Sequence, residues 1–332
     1  MNYREEYMHW LDSPAISNAE WEELKAISDD DKEIKSRFFA PLAFGTAGLR
    51  GIMGMGLNRM NVHVVRHATQ GFANVIKAEG ELACKKGVAI CYDCRNHSAE
   101  FAREAASVMA GNGIFVRIFE AMRPTPELSF AVIHYGMIAG INITASHNPK
   151  EYNGYKAYWA DGAQLPPQHA KAVAEAMANT DIFNGIKRID FEEAIQKGLV
   201  AYIGEECDEA FLKCVLAQAI DTDEVKKVAD HFKIVYTPFH GTGYKLVPEA
   251  MKRLGLKQII PVPEQMVIDG NFPTVVSPNP ENPEGFALAI KLAKQVGSDL
   301  IIGTDPDADR VGVMVRDKNG DYITISGNQM GV

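Results

Sequence analysis

Ile138-Ala139-Gly140-Ile141-Asn142-Ile143-Thr144-Ala145-Ser146-His147-Asn148-Pro149 is the stretch on which the fold turns. Its first six residues form a short apolar run of strand length, and the Ser, Asn and Pro that follow end it in a turn. An uninterrupted apolar strand of this kind suits a parallel sheet covered by helices on both faces. In open α/β sheets ligands gather beyond the carboxyl ends of the strands, which is where Ser146 stands. Ser146 is therefore a candidate nucleophile, with a simple turn as the plain alternative.

Working outward, residues 88–92 and 114–119 read as two further strands, with helices over 97–110 and from near Pro126, completing a βαβαβ unit. Residues 152–159 alternate like a strand turning back over the site, which puts Lys156 within reach of it. The pattern then repeats: strands over 232–236, 258–262 and 299–304, with helices over 246–254 and 284–296. Both units place a proline-rich loop before the second crossover helix, at Arg123-Pro124-Thr125-Pro126 and at Asn279-Pro280-Glu281-Asn282-Pro283. The expected fold is α/β: two similar βαβαβ-type domains in tandem, with mixed, mostly parallel sheets flanked by helices. Residues 1–204 are expected to form the first domain, with a helical N-terminal extension capped at Ser17-Asn18-Ala19-Glu20, and 205–325 the second. Residues 163–200 are expected to be helix-rich, and 326–332 to begin a third domain.

The last strand of the second unit runs into Asp305-Pro306-Asp307-Ala308-Asp309-Arg310. In extended chain, side chains two apart point the same way, so the three carboxylates are expected to converge on one hard cation. All-oxygen ligands fit Mg²⁺. An EF-hand is excluded, because Arg310 and Arg316 stand where that loop needs glycine and glutamate. The alternative is a solvated acidic turn.

A third signal is Phe44-Gly45-Thr46-Ala47-Gly48-Leu49-Arg50-Gly51-Ile52-Met53-Gly54-Met55-Gly56, where glycines surround Arg50. Such a loop lets backbone N–H groups approach a phosphate, although it lacks the lysine of a nucleotide P-loop. His240-Gly241-Thr242-Gly243 imitates a dinucleotide fingerprint, but Leu246 occupies the third glycine position. Serine, a cation site and arginines at equivalent ends of duplicated sheets point to phosphoryl transfer across one cleft. Ser146 would carry the phosphate, Lys156 would move a proton, and Arg50 and Arg310 would hold phosphate oxygens.

Composition bounds the partners. Among 332 residues, 43 acidic against 34 basic side chains argue against general affinity for nucleic acid or anionic membrane. The first residues lack a signal peptide's basic and apolar regions, and no apolar run approaches the roughly 18 residues of a membrane span. A cytoplasmic protein is expected. Five cysteines make no disulfide framework for a chain this long, and Cys91-Tyr92-Asp93-Cys94 is read as inert thiols in preference to a redox pair.

On the glycine–arginine loop at 44–51, the 144–149 loop with Asn153-Gly154-Tyr155-Lys156, and the 305–310 aspartates, the sequence resembles the α-D-phosphohexomutase superfamily, in its phosphoglucomutase/phosphopentomutase branch. The resemblance implies a phosphoserine at Ser146 whose phosphate binds Mg²⁺ together with Asp305, Asp307 and Asp309. It implies transfer between the 1 and 6 positions of a hexose phosphate, with glucose 1,6-bisphosphate as intermediate and activator. It matches Arg50 and Arg310 to arginines at the phosphoserine, Lys156 to a general acid/base, and His147 to an active-site histidine. Family members have four domains, so the chain is expected to be an amino-terminal part that binds Mg²⁺ without efficient turnover. Ser326 has the character of a cap for a helix without room to form. The choice among glucose, mannose and pentose phosphates stays open, as does oligomeric state. Two rival readings are a Mg²⁺-dependent phosphatase with Asp305 as nucleophile and a non-catalytic phosphosugar-binding module.

Overall fold

A computed structural model describes residues 2–331. Its strands are β1 (Leu49–Ile52), β2 (Val88–Tyr92), β3 (Val116–Phe119), β4 (Ala139–Ile143), β5 (Tyr152–Trp159), β6 (Val200–Ile203), β7 (Lys233–Thr237), β8 (Gln258–Pro261), β9 (Leu300–Thr304), β10 (Val311–Arg316) and β11 (Tyr322–Ile325). The first sheet has the order β1-β5-β4-β2-β3-β6 and the second β11-β10-β9-β7-β8. In both, three neighbouring strands run parallel (β4-β2-β3 and β9-β7-β8), and an antiparallel strand lies beside the last of them in chain order (β5 beside β4, β10 beside β9). The duplication thus extends to the returning strand.

Helices α1 (Tyr3–Leu11), α2 (Asn18–Lys25), α3 (Asp31–Phe38), α4 (Val62–Ala78), α5 (Glu81–Lys86), α6 (Ser98–Gly111) and α7 (Thr125–His134) precede β4. Around and beyond β6 come α8 (Pro167–Ala178), α9 (Phe191–Gln196), α10 (Glu205–Leu216) and α11 (Thr222–Val228). The second unit adds α12 (Gly243–Arg253), α13 (Pro263–Met266), a short 3₁₀ turn at Pro283–Phe286, α14 (Ala287–Val296) and α15 (Gly327–Met330). No helix among the described residues is long and apolar enough to cross a membrane.

All five residues of β4 are buried, the pattern of a strand covered on both faces. Its helices and those of β2 supply a core that includes Val65, Ala68, Phe72, Ala102, Ala106 and Met109. The N-terminal extension belongs to that core, because Trp10, Leu24 and Phe38 are buried against it. Each such large side chain contributes roughly 1.5–3 kcal/mol by leaving water. The capping box at Ser17 forms as expected, with the Ser17 N–H donating to Glu20 Oε2 at 2.8 Å.

Several local expectations are corrected. The glycine-rich stretch contains β1, paired antiparallel with β5, so Arg50 projects from a strand edge. The helix-rich 163–200 stretch holds α8 and α9, but the chain then enters β6, a strand that was not expected, which pairs in parallel with β3 at the far edge of the first sheet. Strands β10 and β11 pair as an antiparallel hairpin where no strand was expected. Ser326 does cap a helix, the single turn α15, because Gln329 returns its side chain to the Ser326 N–H.

Candidate active site

The carboxyl ends of β4 and β9 meet. Ser146 Oγ donates to Asp305 Oδ2 at 2.8 Å, joining residues 159 apart in sequence. Two glycines let each loop pack closely within its own unit. A Cβ on Gly154 would lie 2.5 Å from the Thr144 carbonyl oxygen, and one on Gly241 would lie 2.4 Å from the Cα of Pro306. The His240-Gly241-Thr242 turn after β7 therefore serves the aspartate loop: Thr242 donates to the Pro306 carbonyl from its N–H at 2.8 Å and its hydroxyl at 2.9 Å.

The three aspartates converge, but not by strand alternation. Residues 305–310 form a tight turn, with Ala308 at φ 52° and its N–H donating to the Asp305 carbonyl at 2.9 Å. One carboxylate oxygen from each of Asp305, Asp307 and Asp309 falls within 4.8 Å of the others, a spacing at which one small cation can be shared. Asp305 is fully engaged: Oδ2 takes the Ser146 hydroxyl and Oδ1 the Arg310 N–H at 3.0 Å. Asp307 Oδ2 accepts from Lys156 Nζ at 2.7 Å and from Thr125 Oγ1 at 2.8 Å. Asp307 Oδ1 is buried with no hydrogen-bond partner. A buried orphan oxygen is costly. It is also the atom a hard cation would satisfy, so these residues fit a Mg²⁺ site.

Burial and the neighbouring Asp307 and Asp309 push Asp305 well above the ordinary carboxylate range. Burial acts the same way on Asp307, but Lys156 outweighs it and holds Asp307 low. Lys156 is itself buried. Burial favours its neutral form, but Asp307 and Asp309 more than compensate and keep it charged. Its Nζ also reaches Asp309 Oδ2 at 2.9 Å, so in this state it faces two aspartates. β4 and β5 set this register, with Asn142 opposite Lys156.

Ser146 sits at φ 54°, a conformation that costs a non-glycine residue on the order of 1–3 kcal/mol. Arg95 explains how it is held. Its buried guanidinium donates to the carbonyls of Ser146, Asn148, Pro149 and Tyr152, and its Nε lies 3.3 Å from Asp93 Oδ2. Phe272 from the second unit covers that guanidinium, 5.1 Å from ring centre to Cζ. His147 Nδ1 is 3.3 Å from Ser146 Oγ. Burial, then Arg310 and Arg50, hold that imidazole below its usual range. Arg50 donates to Asn148 Oδ1 at 3.0 Å, and Arg310 Nη1 lies 3.6 Å from Glu281.

The structure thus gathers Ser146, His147, Lys156 and the three aspartates, with Arg50 and Arg310 at the edge. Sequence reasoning missed Asp93, Arg95, Thr125 and Asn142. The first two follow β2 as Ser146 follows β4, so the carboxyl-end rule applies to them too. The Cys91 and Cys94 thiols are free, and burial pushes both up, which suits inert thiols.

Behind α7 lies a second buried charge cluster. Arg123 Nε meets Asp208 Oδ1 at 2.6 Å, Lys245 Nζ meets Asp208 Oδ2 at 2.8 Å, and both oxygens of fully buried Glu127 lack a hydrogen-bond partner. Burial, and then the charge of Asp208, raise Glu127 above its usual range.

Residues 41–182 match the family described as phosphoglucomutase/phosphomannomutase, alpha/beta/alpha domain I, and residues 209–320 match domain II of the same family. A phosphoglucomutase of Staphylococcus saprophyticus is 38% identical over 304 residues, covering 91% of this chain and 53% of that protein. A human phosphopentomutase is 36% identical over 326 residues, covering 92% and 51%. The chain therefore spans about half the length of these relatives. The crystal structure of a phosphoglucomutase/phosphomannomutase family protein from Burkholderia thailandensis shares the fold, with a TM-score of 0.65 at 22% identity over 85% of this chain and 56% of that one.

Proposed function

Because this chain belongs to the phosphoglucomutase/phosphomannomutase family, we propose that it takes part in phosphosugar mutase chemistry, with Ser146 carrying the phosphoryl group between positions 1 and 6 of a hexose. The observation that carries this reading is the contact of Ser146 Oγ with Asp305 inside a triad of aspartates. Asp305, Asp307 and Asp309 would hold Mg²⁺, with an oxygen of the Ser146 phosphate. When bound, the ion neutralises negative charge on the phosphoryl oxygens.

The chain's own groups do the rest. In donation, the Ser146 Oγ–P bond breaks as a bond forms from phosphorus to the sugar hydroxyl oxygen, and the hydroxyl proton passes to Lys156 as Lys156 gives its own to Ser146 Oγ, so the proton count of the site is unchanged. Lys156, kept charged by its two aspartates, is the acid that protonates the departing Ser146 oxygen. Arg50 and Arg310 flank the 144–149 and 305–310 loops and would grip phosphate oxygens. His147, held neutral, would bond the serine oxygen without adding charge. The bisphosphate then turns over and returns its other phosphate to Ser146, which makes glucose 1,6-bisphosphate both intermediate and activator. Similarity to both a phosphoglucomutase and a phosphopentomutase leaves glucose and pentose phosphates as the substrates to compare. Five free thiols suit a reducing compartment, the cytoplasm.

Incubation with labelled glucose 1,6-bisphosphate should place an acid-stable label on Ser146 that Ser146→Ala abolishes while the far-UV spectrum is retained. A hydroxylamine-labile label on Asp305 would instead favour the phosphatase reading. No covalent label with bound bisphosphate would favour a binding module.

A further inference from the structure

The Asp307 carboxylate has two oxygens with opposite environments, and a threonine shares with Lys156 the oxygen that is occupied. Thr125 opens α7 directly after Pro124, at the carboxyl side of β3. Its backbone N–H donates to the Asp307 carbonyl at 2.8 Å, and its hydroxyl donates to Asp307 Oδ2 at 2.8 Å. Behind it, buried Asn142 donates from Nδ2 to Thr125 Oγ1 at 2.6 Å.

The chemistry of these groups fixes the direction of the chain of bonds. A hydroxyl has one proton and two lone pairs, an amide nitrogen only donates, and a carboxylate only accepts. With Asn142 Nδ2 toward Thr125, the Thr125 proton points at Asp307 and a lone pair faces Asn142, whose own Oδ1 is buried without a partner. With Thr125 and Lys156 both on Oδ2, that oxygen is saturated, while buried Oδ1 has no partner. Three donors on the first sheet's side (the Thr125 N–H and hydroxyl, and Lys156) thus set both the backbone and the carboxylate rotation of a residue in the second unit.

We infer that Thr125, locked by Asn142, is a positioning residue for the cation site: it occupies one oxygen of Asp307 so that the other alone is presented to a divalent metal. This rests on the metal-site reading above. It makes Thr125 act through Asp307, without touching metal, phosphate or sugar.

The test is Mn²⁺ binding to the chain, read as loss of the free-ion electron paramagnetic resonance signal, with no turnover required. Thr125→Val keeps the shape and removes the hydroxyl. It should weaken Mn²⁺ affinity by about 10–100-fold, the usual consequence of losing an outer-shell partner. Thr125→Ser, which keeps the hydroxyl, should bind as wild type does. If Thr125→Val does not fold, Asn142→Leu carries the test: the hydroxyl remains but is free to rotate, and affinity should fall measurably. A folded Thr125→Val, or in its place Asn142→Leu, that binds Mn²⁺ as tightly as wild type overturns the inference and leaves the metal site standing. Failure of Thr125→Ser to bind better than Thr125→Val overturns it too. A wild-type chain that binds no Mn²⁺ overturns both the inference and the metal-site reading.

Discussion

Replacing Arg95 with methionine removes the guanidinium and keeps most of the aliphatic stem. Two costs follow, and they differ in size. The four loop carbonyls at Ser146, Asn148, Pro149 and Tyr152 lose a charged donor. Asn148 and Tyr152 are only partly buried and Pro149 is exposed, so water can take up much of that loss. Asp93 cannot be rescued in this way. It is buried, its Oδ1 accepts from Ser98 Oγ at 2.8 Å and from the Arg95 N–H at 2.9 Å, and its Oδ2 lies 3.3 Å from the Arg95 guanidinium. Breaking one side of such a pair costs about 3–5 kcal/mol. That is a large share of the total stability of roughly 5–15 kcal/mol expected for a folded domain. The Asp93 term therefore dominates.

Burial already raises Asp93 above the usual aspartate range even with Arg95 beside it. Without Arg95 it rises further. A group whose folded pKa is raised contributes stability at low pH that is lost as pH climbs through the folded value. The deficit of Arg95→Met should thus be largest near neutrality and shrink toward acid, and adding Asp93→Asn should recover part of it at neutral pH. Urea unfolding followed by circular dichroism at several pH values measures this, with Ser146 labelling as a second readout, since the strained serine loses its clamp. A neutral-pH change below about 1 kcal/mol, within the ordinary range of surface substitutions, or a deficit that grows toward acid, would refute the reasoning.

Lys156 shares Asp307 and Asp309 with the proposed cation, so Lys156→Met should bind Mn²⁺ more tightly in titrations; phosphoryl transfer from labelled Ser146 to glucose 1-phosphate should fall by about 10²–10⁴-fold through loss of the acid. Weaker Mn²⁺ binding in that variant would show that the lysine supports the site more than it competes for it. Glu127 is raised above its ordinary range, so the wild type should lose stability as pH rises from that range toward the folded value, by at most about 1.4 kcal/mol per pH unit. Glu127→Gln should flatten the slope, and urea midpoints from pH 5 to 8 decide it; parallel curves for both proteins would be the contrary result.

Much of this site was readable because its two main loops follow apolar strands. Ser146 stands past β4 and Asp305 past β9, so one rule about strand ends found both, and the repeat of that pattern revealed the duplication. What stayed hidden has physical causes. β1 lies among glycines whose density suggests a loop, and β6 comes straight after two helices outside the repeating strand–helix pattern. The aspartates looked like alternating positions on extended chain, but Ala308 adopts a left-handed conformation that no residue type there announces. Arg95 bonds to backbone carbonyls, which leave no mark on side-chain identity. Thr125 and Asn142 act through the direction of one hydroxyl proton, and that depends on which neighbours the fold supplies.

Ser146 and Asp305 are separated by 159 residues, and their hydrogen bond joins two sheets whose strand pairings are each internal. Each sheet can form from contacts within its own stretch of chain, and long-range closure comes at a cost in entropy that must be met before the contacts form. During synthesis the serine emerges long before any of the three aspartates. A ribosome-bound chain that has folded only its first sheet therefore holds the serine loop without its carboxylate partners. The contact between Ser146 and Asp305 can close only once the second unit has been synthesised.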